Sequence, residues 1–141
     1  MNRSDILALT KAQIQKKIEE LTINKKNCQT DKGKYNDAKK YAIKLETELK
    51  NAKASNQSSI DYAKQYFVID GKIGDGGKLE KLFNDINNSE SKIRDIIIPA
   101  IDNELSNLTN KISQIDTEIN KLKKQLQQCD TNNNVVRVSS N

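Results

Sequence analysis

The sequence predicts an all-α chain, a long antiparallel helical hairpin of coiled-coil type, and three observations carry that prediction. Ten core-type residues fall on one unbroken heptad seam between Ile98 and Cys129. A second row recurs every seventh position as Leu7, Ile14, Leu21, Cys28, Tyr35, Ala42 and Leu49. Between the two lies Gly71-Lys-Ile-Gly-Asp-Gly-Gly77, a segment rich in the one residue that enters left-handed backbone conformations without strain.

The first helix is expected from about Ser4, with Ser4 and Asp5 as its cap, to the mid-fifties. Its main row has a patchier companion: Ile18 early, then Ala38, Leu45 and Ala52. Lys25, Lys32 and Gly33 interrupt that companion, so a soft spot is expected near Thr30–Gly33. Ser55-Asn-Gln-Ser-Ser59 weakens the pattern again before Ile60 to Ile69 resumes it.

The Gly71–Gly77 segment reads as a turn. A phosphate-cradling loop of the Walker type would end in Lys-Ser or Lys-Thr, whereas Gly77 is followed by Lys78-Leu79. A second helix then runs from about Lys78 to Cys129. It opens on Leu79, Leu82, Phe83, Ile86, Ile93 and Ile97, and continues through the seam residues Ile98, Ile101, Leu105, Leu108, Ile112, Ile115, Ile119, Leu122 and Leu126. The apolar phase changes from the 79/86/93 row to the 98/105/112 row where Pro99 removes a backbone donor, so a kink is expected at Asp95–Pro99. Asp130-Thr-Asn-Asn-Asn134 is expected to end the helix, giving one domain over 1–130 and a flexible tail over 131–141.

Composition limits the function. The chain has 141 residues, 35% hydrophobic, 30% charged and only 4% aromatic, which suits thin seams between helices rather than a thick core. Its charge of +5 is spread over 24 basic and 19 acidic residues, so the Lys clusters read as solvated helix faces and nucleic acid is not the expected partner. No run approaches the roughly 18 apolar residues of a membrane span. Met1 to Lys11 has no basic start followed by an apolar block, so the expected location is cytoplasmic, with export alongside a partner as the alternative.

Catalysis is not expected. The chain has no His, hence no ordinary general base near neutral pH, and its two cysteines are too few and too far apart for a metal framework. No cofactor is expected. Cys28 and Cys129 both fall at seam positions, where a thiol acts as a small apolar group.

Two ways of covering the seam are open. If the chain reverses near residue 73.5, Leu49 faces Ile98, Ala42 faces Leu105, Tyr35 faces Ile112 and Cys28 faces Ile119. In a parallel homodimer through the second helix, Lys111 faces Asp116 of the other copy and Glu118 faces Lys123. A two-helix hairpin leaves apolar residues over, so pairing with another chain is expected, with the seam from Ile98 to Leu126 as its contact surface.

The turn and the residues after it, Asp75-Gly76-Gly77-Lys78-Leu79-Glu80-Lys81-Leu82-Phe83, resemble the small helical partners of LXG toxins. These are the YwqH-like and Lap-type proteins, related in shape to the WXG family. Gly77 and Phe83 answer to the Gly and Phe with which that family joins its two helices, with Gly71, Gly74 and Gly76 in the same turn. The resemblance implies a non-enzymatic adaptor or chaperone. It would lay its seam against the N-terminal helices of an LXG-type toxin, or of another small helical protein, and bring it to type VII secretion. A self-associating structural coiled coil is the alternative.

Overall fold

The computed structural model describes the backbone of residues 3–139 and the side chains of residues 11–129. The chain is mostly helical. Helix α1 spans Arg3–Tyr66, α2 spans Lys78–Lys92, a π-helical turn spans Ile93–Ile97, and α3 spans Ile98–Ser139. Between α1 and α2 lie two short strands, β1 (Val68–Ile69) and β2 (Lys72–Ile73). The Ser4–Asp5 cap and the mobility of the 131–141 tail fall outside the described side chains. The helical backbone of α3 continues to Ser139, past the stop expected at Asp130–Asn134.

α1 is one uninterrupted helix through both places where weakness was expected. Gly33 sits in open space and Thr30 turns its hydroxyl onto the Lys26 carbonyl at 3.1 Å. Ser58 and Ser59 do the same onto Ala54 and Ser55, both at 3.2 Å. Short hydroxyl side chains that bond the preceding turn are tolerated inside a helix held by its neighbours. The chain divides into two compact units, and the division falls between Gly33 and Lys34 and again between Leu105 and Ser106.

In unit 1 (1–33 with 106–141), Ile14 packs with Leu122 and Cys129, while Cys28 packs with Ile115 and Ile119. Rising numbers on one helix meet falling numbers on the other, so the segments run antiparallel. Ile18, Leu21, Leu108, Ile112 and Leu126 close around these two clusters. Burying such side chains contributes about 1.5–3 kcal/mol each. The chain reverses at Asp70-Gly71 rather than near 73.5, and the register set by Lys25–Asp116 brings Cys28 level with Ile112, one heptad before the expected Ile119; both thiols are free and buried in separate clusters.

In unit 2 (34–105), Lys39 reaches Asp102 at 2.7 Å, Lys53 reaches Glu90 at 3.2 Å, and the Asn56 amide donates to the Leu79 carbonyl at 3.0 Å. These pairs again run in opposite order, so unit 2 is a helical hairpin. Its end is built from two tight devices. Asp70 (φ 51°) and Gly71 (φ 76°) form the two-residue loop that joins β1 to β2, with Val68 opposite Ile73 and Ile69 opposite Lys72. Two successive left-handed residues, with Asp-Gly as the pair, match the twist of a two-stranded ribbon. Gly76 (φ 70°) and Gly77 (φ 79°) then lead into α2.

The apolar phase change has a definite cause. In α2 the inward residues are Leu79, Phe83, Ile86, Glu90 and Ile93, spaced alternately by four and three. In α3 they are Ile98, Ile101, Leu105 and onward in the same rhythm. Continued as regular helix, the first frame would bring in Ile97, Ala100, Glu104, Asn107 and Lys111; extended backwards, the second would bring in Arg94, Ser91 and Asn87. Both are too polar. One extra residue reconciles them, and the π turn supplies it: the Ile98 N–H bonds to the Ile93 carbonyl, five residues back. This turn stands where Pro99 was expected to act on the helix.

Candidate protein-contact flank of unit 2

The inward residues of α1 alternate by four and three from Ile14 to Ala63, and this fixes its heptad positions. The d row is Ile14, Leu21, Cys28, Tyr35, Ala42, Leu49, Asn56 and Ala63; the a row is Ile18, Lys25, Lys32, Lys39, Glu46, Lys53 and Ile60. All are buried or half-buried except Tyr35, 36% exposed. The expected companion row is therefore corrected. Ala38, Leu45 and Ala52 are exposed, and the seam instead takes the row dominated by lysine.

A lysine fits that row because its alkyl stem covers apolar surface while its ammonium reaches the edge. There three of the four, Lys25, Lys39 and Lys53, find a carboxylate. In unit 1 Lys25 meets Asp116 at 2.6 Å; in unit 2 Lys39 meets Asp102 at 2.7 Å and Lys53 meets Glu90 at 3.2 Å. Asp102 and Asp116 lie just beyond the opposite seam, on the edge next to the a row, whereas Glu90 stands in the α2 seam itself. Arg94 adds a second cation to Glu90 at 3.3 Å and chelates Asp95 at 3.0 and 3.2 Å. Asp95 is held below the ordinary carboxylate range by its bonds from the Arg94 guanidinium, and that guanidinium is raised in turn. Asn87 also accepts from Lys53 at 3.1 Å. Glu90, 1% exposed, is the chemical feature the sequence reading missed; its place in the four-three rhythm between Ile86 and Ile93 was the available signal.

The opposite edge differs between the units. In unit 1 it carries charge, with Lys17 and Glu118 at 3.4 Å. Asp116 and Glu118, which would have faced a second copy in a parallel dimer, are thus occupied by lysines of their own chain. In unit 2 the g positions of α1 are Ala38, Leu45, Ala52, Ser59 and Tyr66, and those of the returning helix are Leu82, Ser89 and Ile96, followed in the frame after the π turn by Ile97 and Glu104. Only Glu104, the last of them, is charged, and every one is exposed. Leu45 (36%), Leu82 (49%), Ile96 (62%), Ile97 (44%) and Tyr66 (60%) are large exposed hydrophobics. Next to this row, at the outer c position, stand Tyr41 (68%) and Tyr62 (58%). The register set by Lys39–Asp102 and Lys53–Glu90 brings Leu45 level with Ile96 and Ile97.

The aromatic end of this flank is ordered. Tyr62 stacks obliquely on Tyr66 with ring centroids 4.7 Å apart and lies 6.0 Å from Phe67. Phe67, 59% exposed, lies beside them. Below, the Asp75 carboxylate accepts from the Gly77 and Leu79 N–H groups, both at 2.9 Å, and so caps α2. Those bonds, Leu79 first, hold its pKa below the ordinary carboxylate value against some desolvation. Gly74 brings its N–H to the Phe67 carbonyl at 2.9 Å. Phe83 sits half-buried in the α2 seam.

The expected contact surface is thus covered by its own chain: Ile115, Ile119 and Leu122 are buried against α1, Leu108, Ile112 and Leu126 pack around them, and Ile98, Ile101 and Leu105 are half-buried in unit 2. The apolar surplus lies elsewhere, on the unit 2 flank. Among the described residues no group of three His, Cys, Asp or Glu could hold a metal ion, and no helix is long and apolar enough to cross a membrane. Comparison with protein-family models, with curated proteins and with solved structures finds no match.

Proposed function

We propose that this chain is a non-enzymatic helical binding module whose contact surface is the apolar flank of unit 2. One observation supports the reading: the intrachain seam leaves a row of exposed apolar side chains, from Leu45 to Tyr66 on α1 and from Leu82 to Ile97 opposite, without a charge among them. Isolated exposed hydrophobics are ordinary, but a continuous row of them marks a contact site. The reading has two forms. In one the flank takes the helices of a foreign protein, which the resemblance at Asp75–Phe83 would make an LXG-type toxin bound for type VII secretion. In the other it takes a further copy of the chain. The experiment is recovery of tagged chain from its native cells with Leu45→Glu plus Ile97→Glu, against Ile43→Glu on the other side of α1. A bound helical protein lost only with the flank change supports an adaptor. Equal recovery by all three contradicts the flank as its contact surface.

A further inference from the structure

We propose that the occupant of this flank is a second copy of the same chain, joined about a two-fold axis parallel to the helices of unit 2. This rests on the flank being a contact surface and names its partner. Such an axis keeps both turns at the same end and lays α1 of each copy over the returning helix of the other. Leu45 then meets the Ile96–Ile97 pair of the second copy, and the same contact repeats by symmetry.

The bordering residues choose this arrangement. At the outer c positions, the register pairs Glu48 of one copy with Lys92 of the other, twice per dimer. The remaining c pairs are Tyr41 with Ala100, Ser55 with Asp85, and Tyr62 with Lys78. No pair sets like charge against like charge, one pair attracts, and an ammonium near the Tyr62 ring is itself favourable. Between Leu45 and Tyr66 on one side and Leu82 and Ile97 on the other the inner row carries no charge, and its one acid, Glu104, lies at the end of the row level with the small Ala38, so two flanks can face each other without enclosing an unpaired ion.

The π turn contributes directly. The extra residue that realigns the seam turns two consecutive isoleucines, Ile96 and Ile97, to the flank side, where a regular helix would present one. A feature required by the intrachain pairing thereby widens the apolar contact surface opposite Leu45.

The test is sedimentation equilibrium of the full chain at tens of micromolar, with helix content followed by circular dichroism. Unmodified chain and Ile43→Glu should both sediment at twice the mass of one chain. Leu45→Glu and Ile97→Glu should fall to the single-chain mass with unchanged helix content. A milder pair covers the case in which these variants unfold: Glu48→Lys and Lys92→Glu should each weaken the dimer, and together restore it. A single-chain mass for the unmodified protein overturns the second copy as occupant. The wider reading survives that result if flank variants still lose a foreign partner. A dimer unaffected by every flank change overturns both.

Discussion

The ammonium of Lys53 lies 3.2 Å from the carboxylate of Glu90, whose side chain is 2% exposed, while that of Lys53 is 30% exposed. This asymmetry sets the outcome of breaking the pair. In Lys53→Met the carboxylate stays enclosed and keeps only Arg94, itself 48% exposed. In Glu90→Leu both cations can swing into water. Lys53→Met should therefore cost about 1–3 kcal/mol, and Glu90→Leu less. Urea denaturation of both variants checks the order; the reverse order would mean that Glu90 is not held as described.

Gly33→Ala should stabilise the chain by about 0.5–1 kcal/mol, because α1 is helical there and an added methyl meets nothing within 4 Å. A raised melting temperature in circular dichroism is the expected reading. An unchanged or lowered one would point to a break in α1 at that position.

The turn glycines should separate by mechanism. Gly77→Ala forces a side chain into left-handed backbone at φ 79° and should cost about 1–2 kcal/mol. At Gly74 the new methyl would come to 2.9 Å from the Ile69 Cδ1, the far end of an exposed side chain that can rotate away. Gly74→Ala should therefore cost less, about 0.5–1.5 kcal/mol if Ile69 must leave its rotamer. Chemical denaturation of the two variants side by side makes the comparison.

How far the fold could be read from the sequence differs along the chain. From Ile98 to Cys129 both seam rows are Ile, Leu and Cys, so period alone located the helix and its inward face. On α1 it located only one row. Ala38, Leu45 and Ala52 look like seam residues by hydrophobicity, yet Lys25, Lys39 and Lys53 take the inward row because each has a carboxylate opposite. Hydrophobicity cannot show such pairing, since the acids lie dozens of residues away. The same error hid the flank: choosing Leu45 for the seam removed it from the surface. The Asp70-Gly71 ribbon was absorbed into a generic glycine turn, although Asp-Gly is a specific signal for a two-residue loop.

Asp75 should make part of the stability of unit 2 depend on acid. Its folded pKa lies below the unfolded value, so the cap it forms on α2 contributes fully above the ordinary Asp value of about 3.9. That contribution is lost as pH falls through the lowered folded value. Asp75→Asn should flatten the dependence of melting temperature on pH in this range. An unchanged acid profile in the variant would show that the Gly77 and Leu79 bonds do not depend on the charge.

Ile115→Asp would drive a carboxylate into the cluster with Cys28 and Ile119 and should cost several kcal/mol, on the order of 3–5. Asn110→Asp, on the exposed side of α3, should stay within about 0.5 kcal/mol. Equal effects would argue against the stripe as the buried face.

The most direct measurement on the flank is oxidation of a mixture of two variants that each add one cysteine, Glu48→Cys and Lys92→Cys, since the chain's own thiols, Cys28 and Cys129, are buried. A disulfide dimer formed faster in the mixture than by either variant alone is the expected result. No cross-linking in the mixture, or equal rates in all three samples, would contradict it.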